Sequence, residues 1–541
     1  MQPSLFSRYA VFVFCCLCTI LVFVLAAELG WRWPFLLVGG IAAILSLIGI
    51  RDLMQSGHSV RRNYPVIGNI RYLVEAIRPE IRQYLLEEEE KEVPFSRSQR
   101  SLVYARAKRQ NSDLAFGTLK DVYGDDYEFI SHSLRPAAQA DPKTFRITIG
   151  GETCKQPYSA SVFNVSAMSF GSLSANAIRA LNKGAKLGGF AHDTGEGGIS
   201  PYHREFGGDL IWELGSGYFG SCTEKGRFDP EKFTRLAADP QIKMIEVKLS
   251  QGAKPGHGGI LPAAKVSAEI AATRGVPAHR DCISPPQHSA FRTPTELVAF
   301  IAALRELSGG KPVGFKLCLG HPWEFMSIVK AMLETKVLPD FIVVDGAEGG
   351  TGAAPVEFSD HIGVPLREGL LFVHNTLVGA GLRDKIHVGA SGKLVSAFDI
   401  AAIMAIGADW ANSARGFMFA IGCIQSRSCH TNKCPTGVAT QDSLRQRALV
   451  VSDKAERVHN FHRNTLHALA EMLGAAGLTH PQEIGPHHMV RRISTTEIKL
   501  FSQLLPFLHP GELLNGASQN SFYRESWQMA RADTFDPLRY I

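Results

Sequence analysis

The sequence predicts an α/β fold: a (β/α)8 barrel, preceded by an N-terminal transmembrane helical hairpin and followed by a helical C-terminal segment. Three patterns point there. From residue 163 onward, short apolar runs alternate with helix-length stretches over about 270 residues, the mark of repeated β-α units. Glycine-rich and polar stretches follow the ends of those runs, where a barrel builds its active site and a doubly wound sheet is the weaker alternative. Two uncharged apolar runs stand near the N-terminus, long enough for membrane helices.

Composition agrees. The chain has 541 residues, 45% hydrophobic and 20% charged, as expected of several globular units with a sizeable core. A net charge of +6 without a clustered basic face argues against nucleic-acid binding. Of ten cysteines, three lie in the first apolar run and three in one late loop. That is no disulfide framework, so the globular part belongs in a reducing compartment.

Taken in order, residues 10–27 are an apolar run of 18, and residues 35–50 form a second run ending at Arg51. Trp31 and Trp33 between them suit a membrane–water interface. Arg8, Arg51, Arg61 and Arg62 put both ends on the cytoplasmic side by the positive-inside rule. The second run, and the lack of a small-residue cleavage site, argue against a removed signal peptide. Residues 1–55 therefore read as a retained inner-membrane anchor with the globular part in the cytoplasm. Residues 56–150 read as a lead-in packing on the barrel, with helical apolar spacing over 72–86 and a solvated acidic run at 87–90.

Residues 151–445 carry the barrel. FNVSAM (163–168), MIEVKL (244–249), VGFKL (313–317), FIVVD (341–345) and IHVGA (386–390) read as buried parallel strands. Helices over 294–307 and 323–333 separate some of them. Residues 446–541 form a C-terminal extension that opens with an amphipathic helix over 455–473 and packs on the barrel.

The chemistry lies in the loops. Gly349 and Gly350 follow FIVVD, Gly392 and Lys393 follow IHVGA, and Ala414 and Arg415 come just before the late cysteine loop. Successive glycine-rich loops late in a β/α series offer backbone N–H groups to a phosphate. The loop 250–259, with Gln251 and Lys254, can approach a small anion closely. In the loop 195–198 the carboxylate of Glu196 can position an amine or imine. Cys423, Cys429 and Cys434 stand in a C-x5-C-x4-C-P pattern. Structural zinc wants a fourth ligand and closer pairing, and His430 adjoins Cys429, so the two side chains diverge. Three thiolates without a fourth fit a three-iron cluster better.

SAMSFGSLS (166–174), GEGG (195–198), QGAKPGHGG (251–259), ISPP (283–286), DGAEGGTGAAP (345–355) and the cysteine loop occur in that order. Together they resemble the FMN-binding domain of glutamate synthase. With the leading apolar runs, the chain resembles the stand-alone, membrane-anchored glutamate synthase-related proteins. The resemblance implies a barrel holding FMN beside a 3Fe-4S cluster, and reduction of the imine formed from 2-oxoglutarate and ammonia to glutamate. It implies Met168 and Ser169 against the flavin, and Gln251 and Lys316 at its ring system. Asp345, Gly349 and Gly350 would form a cofactor loop, and the loops of Ser391, Gly392, Lys393, Ala414 and Arg415 would hold the phosphate. Cys423, Cys429 and Cys434 would ligate the cluster. Lys254 would meet a carboxylate of the oxo-acid, with Glu196 in the same pocket, and these two are the catalytic candidates.

Two positions depart from the family pattern. Its GGQLP reads Gly258-Gly259-Ile260-Leu261-Pro262 here, and its GEGGE ends in Ile199. Two lost polar partners would cost a bound dicarboxylate on the order of 1–3 kcal/mol each. That motivates a second reading, the same cofactors acting on another amino or hydroxy acid; a non-catalytic membrane electron-transfer subunit is a third. No amidotransferase domain with a leading cysteine nucleophile precedes the barrel, and no clear G-x-G-x-x-G opens a helix after a strand. Electrons are therefore expected from a ferredoxin or separate reductase, and ammonia from solution or a separate subunit.

Overall fold

The computed structural model describes residues 5–55, 57–88, 94–110, 113, 115–516 and 518–538. The chain folds into two compact units, Met1–Glu92 and Val93–Ile541. The lead-in expected over 56–150 is thus divided between them, and Glu89 and Glu90 of the acidic run lie outside the described residues.

In the first unit the helices Leu5–Leu29 and Trp33–Met54 pack against each other, and both are long and apolar enough to cross a membrane. Their contact uses small residues: Gly39, Ala42, Ser46 and Gly49 are buried along one stripe, and the hydroxyls of Thr19 and Ser46 lie 3.2 Å apart. The opposite faces are bare, with Phe14 and Leu47 each 66% exposed. After a short helix, Ser59–Asn63, a longer one, Gly68–Ile81, follows and gives way to a π-helical turn, Arg82–Leu86.

The second unit is a closed barrel of eight parallel strands: β1 (Phe163–Val165), β2 (His192–Asp193), β3 (Leu210–Leu214), β4 (Ile242–Lys248), β5 (Val313–Leu317), β6 (Phe341–Asp345), β7 (His387–Ser391) and β8 (Trp410–Ser413). Closure comes from β8 beside β1, with Ala411 opposite Phe163. Three strands were not expected from sequence. β2 is only two residues long, β8 is a polar WANS, and β3 buries a carboxylate, Glu213, inside an apolar run. The strand expected over 163–168 ends at Val165, and the next residues turn outward into the loop 166–174. A G-x-G-x-x-G does follow β3, at Gly215–Gly220, but the next helix begins only at Pro230, so it makes no dinucleotide turn.

Flanking segments brace the barrel. The helix Val451–Ala475 packs on Ala175–Gly188, where Gly184 permits the approach because a Cβ there would fall into the Val458 side chain. Past Ala475 the extension is not purely helical. Met489–Arg492 and Ile498–Leu500 pair antiparallel, and Glu128–Ile130 adds a third strand. Tyr523 stacks on Phe372 at 5.3 Å, pinning the tail to the helix Leu366–Gly379.

Candidate active site

At the C-terminal ends of the strands lies a cavity of about 350 Å³. It is lined by every residue nominated from sequence except Cys434: Met168, Ser169, Glu196, Gln251, Lys254, Lys316, Asp345, Gly349, Gly350, Ser391, Gly392, Lys393, Ala414, Arg415, Cys423 and Cys429. Loop-to-loop bonds hold the walls. Gly252 N–H donates to Asp345 Oδ2 at 2.8 Å, and a side chain at Gly252 would collide with the Gly346 carbonyl oxygen. The loops after β4 and β6 therefore meet backbone to backbone.

The floor is ionic. Lys316 on β5 pairs with Glu213 on β3 and with Glu246 on β4, the latter at 3.1 Å. Carboxylate oxygens of Asp193, Glu213 and Glu246 lie within 4.8 Å of one another. Burial alone would strip the charge from Lys316, but Glu213, Glu246 and Asp193 hold its pKa well above the ordinary lysine value. Burial pushes Glu246 up to about 7, against the pull of Lys316 and with the push of Glu213. Burial likewise raises Asp193, reinforced by Glu246 and Glu213. One lysine cannot neutralise three carboxylates this close, so the floor keeps a charged lysine and retains carboxyl protons.

On the wall beside the floor the balance reverses. Glu196 faces three cations. Lys248 at the end of β4 bonds its Oε2 at 3.0 Å and Gln251 Oε1 at 2.7 Å. Burial would raise the Glu196 carboxyl, but the charge and hydrogen bond of Lys248, with Arg274 and Lys254, keep it below the usual carboxylate range. Lys254, only 3% exposed, is pushed down by burial, with Glu196 as its compensating partner. Arg274 donates to Ser169 Oγ and to the Phe170 carbonyl, both at 3.3 Å. Gly259 lets Glu196 approach, since a Cβ there would overlap its Oε1.

The loops after β7 and β8 supply two further, half-buried cations. Lys393 is pushed down by burial and by Arg415. Arg415 is pushed to about 10 by burial, despite Asp345 and Glu348. It donates to the Glu348 carbonyl at 2.8 Å and lies over the Phe95 ring, 4.6 Å from its centroid.

Next to this end sits the cysteine loop. Burial, with a smaller push from the other two thiols and against the Gln425 N–H, raises Cys423 to about 12. Burial and Cys434 raise Cys429. Cys434 is buried outside the cavity wall, yet the Thr436 hydroxyl and the N–H groups of Ala439, Thr436 and Val438 outweigh burial and lower it. Three thiols that act on one another, one in a cage of donors, suit a shared soft-metal centre.

A family model described as "Conserved region in glutamate synthase" matches residues 126–479. The chain is 39% identical over 489 residues to the glutamate synthase large subunit-like protein YerD of Bacillus subtilis (strain 168), covering 83% of this chain and 93% of that one. The chain belongs to the glutamate synthase family. It is 34% identical over 335 residues to the archaeal NADPH glutamate synthase of Methanocaldococcus jannaschii, over 62% of each chain. Among solved structures, a mutant flavocytochrome b2 with pyruvate bound covers 84% of this chain and 91% of its own, at 12% identity and a TM-score of 0.39.

This glutamate synthase-family cavity also holds residues that sequence reasoning missed. Lys248 could have been found, because it ends a barrel strand three residues before Gln251. Glu213 carried a signal too, a carboxylate inside an otherwise apolar pentapeptide. Arg274 gave none: a basic residue in the last turn of Ala268–Arg274 reads as a partner of the helix dipole. Nor did Lys265, which donates to the carbonyls of Ser172 at 2.7 Å and Cys429 at 3.4 Å; outside the cavity lining, Tyr104 was missed too, and its hydroxyl donates to the Cys423 carbonyl at 2.6 Å. Ile260, one of the two departures, lines the cavity, whereas Ile199 packs against the core outside the cavity lining.

Proposed function

We propose that the barrel is an oxidoreductase that uses FMN and a 3Fe-4S cluster to reduce the imine formed from 2-oxoglutarate and ammonia to glutamate. What carries this reading is the convergence of the flavin, phosphate, oxo-acid and cysteine motifs on one ligand-sized cavity. FMN would supply hydride transfer, and the cluster one-electron transfer, when bound there.

The residues fit those groups. Lys393 and Arg415 are two half-buried cations, each pushed down by burial and Lys393 further by Arg415, a charge a phosphate dianion would balance. They would hold the phosphate with the backbone of Ser391, Gly392 and Ala414. Lys316, locked in its charged form, and Gln251, fixed by Lys248, would orient the ring from below. Met168, Ser169, Gly349 and Gly350 would bound it, with Asp345 bracing its loop. Cys423, Cys429 and Cys434 would ligate the iron. Lys254 and Arg274 would clamp the carboxylates of the oxo-acid, while Glu196, held ionised, would accept a hydrogen bond from the iminium N–H and orient it.

Exposed Arg427, Lys433 and Arg445 around the cysteine loop favour an acidic carrier, such as a ferredoxin or separate reductase, as electron donor. Ammonia would come from solution or a separate subunit. The two apolar helices would anchor the protein in the inner membrane, with the arginines after the second helix marking the cytoplasmic side. Ile199 and Ile260 favour a second reading, in which the same machinery turns over another amino or hydroxy acid.

Absorbance and EPR spectra of the purified protein test the first claim: flavin bands with acid-releasable FMN and a paramagnetic oxidised cluster are expected, and a colourless protein would defeat it. Reoxidation of the reduced flavin by 2-oxoglutarate with ammonia, measured against a panel of other acids, then decides between the two substrates.

A further inference from the structure

The helix Gly68–Ile81 belongs to the N-terminal unit, and its apolar residues form one stripe. Ile70, Leu73, Val74 and Ile77 recur at i, i+3, i+4 and i+7. That stripe is bare, with Ile70 58% and Leu73 63% exposed. On another face Arg71 pairs with Glu75 at 2.9 Å. The position of the helix is fixed by one buried carboxylate. Asp52, in the last turn of Trp33–Met54 and 3% exposed, accepts from the Val66 N–H at 3.0 Å and from the Asn69 side chain. The amphipathic helix therefore starts beside the end of the second membrane-length helix, whose own lipid-type face is equally bare. Between Arg51 and Arg82 the sequence carries six arginines against three carboxylates.

We propose that Gly68–Ile81 is an interfacial helix that lies on an anionic lipid surface, with its Ile70, Leu73, Val74 and Ile77 stripe in the acyl–headgroup boundary. The Asp52 clip sets its depth, because the end of a spanning helix marks the headgroup level. The arginine excess supplies the attraction to anionic headgroups. A bare stripe that starts from the clipped end of a bare membrane-length helix is held where that helix leaves the bilayer, which is why lipid, rather than a protein groove, covers it. The inference rests on the reading of the hairpin as a membrane anchor.

The test uses the full chain in vesicles of phosphatidylcholine and phosphatidylglycerol, with Leu73→Trp on the stripe and Glu75→Trp on the paired face. Each emission is taken as the excess over the unsubstituted protein. Lipids brominated near the headgroup should quench the Leu73→Trp excess about twofold or more, since such helices bury their apolar face about 5–10 Å deep. The Glu75→Trp excess should stay unquenched. Phosphatidylcholine alone should weaken the quenching. If the protein floats with the vesicles but Leu73→Trp is unquenched, the helix is covered by protein or left in water; the inference then fails while the anchor stands. If the full chain does not float with vesicles at all, both fall.

Discussion

Lys316 and Lys254 are buried to almost the same degree, 4% and 3% exposed, and line the same cavity, yet burial has opposite outcomes for them. On the floor, three carboxylates surround one lysine and the lysine is held charged. On the adjoining wall, three cations surround one carboxylate and Lys254 is pushed toward neutrality. Lys248 joins the two, 3.0 Å from Glu196 and 3.9 Å from Glu213. The difference separates a cation with a surplus of carboxylate partners from one that shares a single carboxylate. The floor satisfies its own lysine, whereas the wall holds positive charge that an incoming anion has to complete.

The sharpest way to break this comparison is to delete the floor lysine. Lys316→Met leaves three mutually close buried carboxylates without their cation. Stability should fall by about 3–5 kcal/mol, the usual result of removing one partner from a buried ion pair. Denaturant unfolding of the full chain measures this, and a loss no larger than that of Lys254→Met would contradict the assignment. The floor should also show in pH dependence. Glu246, pushed up to about 7, holds its proton in the folded state where an unfolded glutamate has lost it. Folded protein binds more protons in that window, so this contribution is complete below about pH 4.5 and is lost as pH rises through about 7. Glu246→Gln should flatten the stability profile between those values, by an amount on the order of 3 kcal/mol.

How legible each region was in the sequence follows from the same contrast. The barrel was readable because strands such as FIVVD and VGFKL are continuous apolar runs, as parallel strands buried on both faces must be. Of the three missed strands, His192–Asp193 is too short to show a pattern, while Leu210–Leu214 and Trp410–Ser413 carry buried polar groups such as Glu213 and Asn412, which weaken the apolar signal. The wall was readable through Gln251, Lys254 and Glu196, because loops that approach a ligand need glycine, and glycine-rich spacing survives in a linear string. The floor was not readable. Its carboxylates come from β2, β3 and β4, and only the side-by-side pairing of these strands with β5 brings them to Lys316. Arg274 was equally hidden, since its role depends on where its helix ends beside Ser169.

On the wall, Lys254→Met should do the reverse of Lys316→Met. The substitution removes a cation with too few partners, so thermal unfolding should stay near the wild-type value. Binding of 2-oxoglutarate, measured by calorimetry, should weaken about 10- to 100-fold, the loss of one charge-assisted hydrogen bond of about 1.5–3 kcal/mol. An unfolding shift as large as that of Lys316→Met, with binding intact, would show that Lys254 serves the fold instead.

The smallest effect, and the one that reads substrate, comes from Ile260. It lines the cavity next to Gly259 and stays 41% exposed, so its side chain can change without a core to repack. Ile260→Gln places an amide within the same wall as Lys254 and Glu196. If a dicarboxylate is the ligand, the added donor should contribute about 1 kcal/mol, a roughly fivefold lower Kd for 2-oxoglutarate. An apolar or shorter acid should bind the Gln variant more weakly than wild type, because the amide is then desolvated without a partner. Opposite signs for the two acids in one titration series would show that the wall's cations set the charge of the substrate while residue 260 sets what lies beyond it.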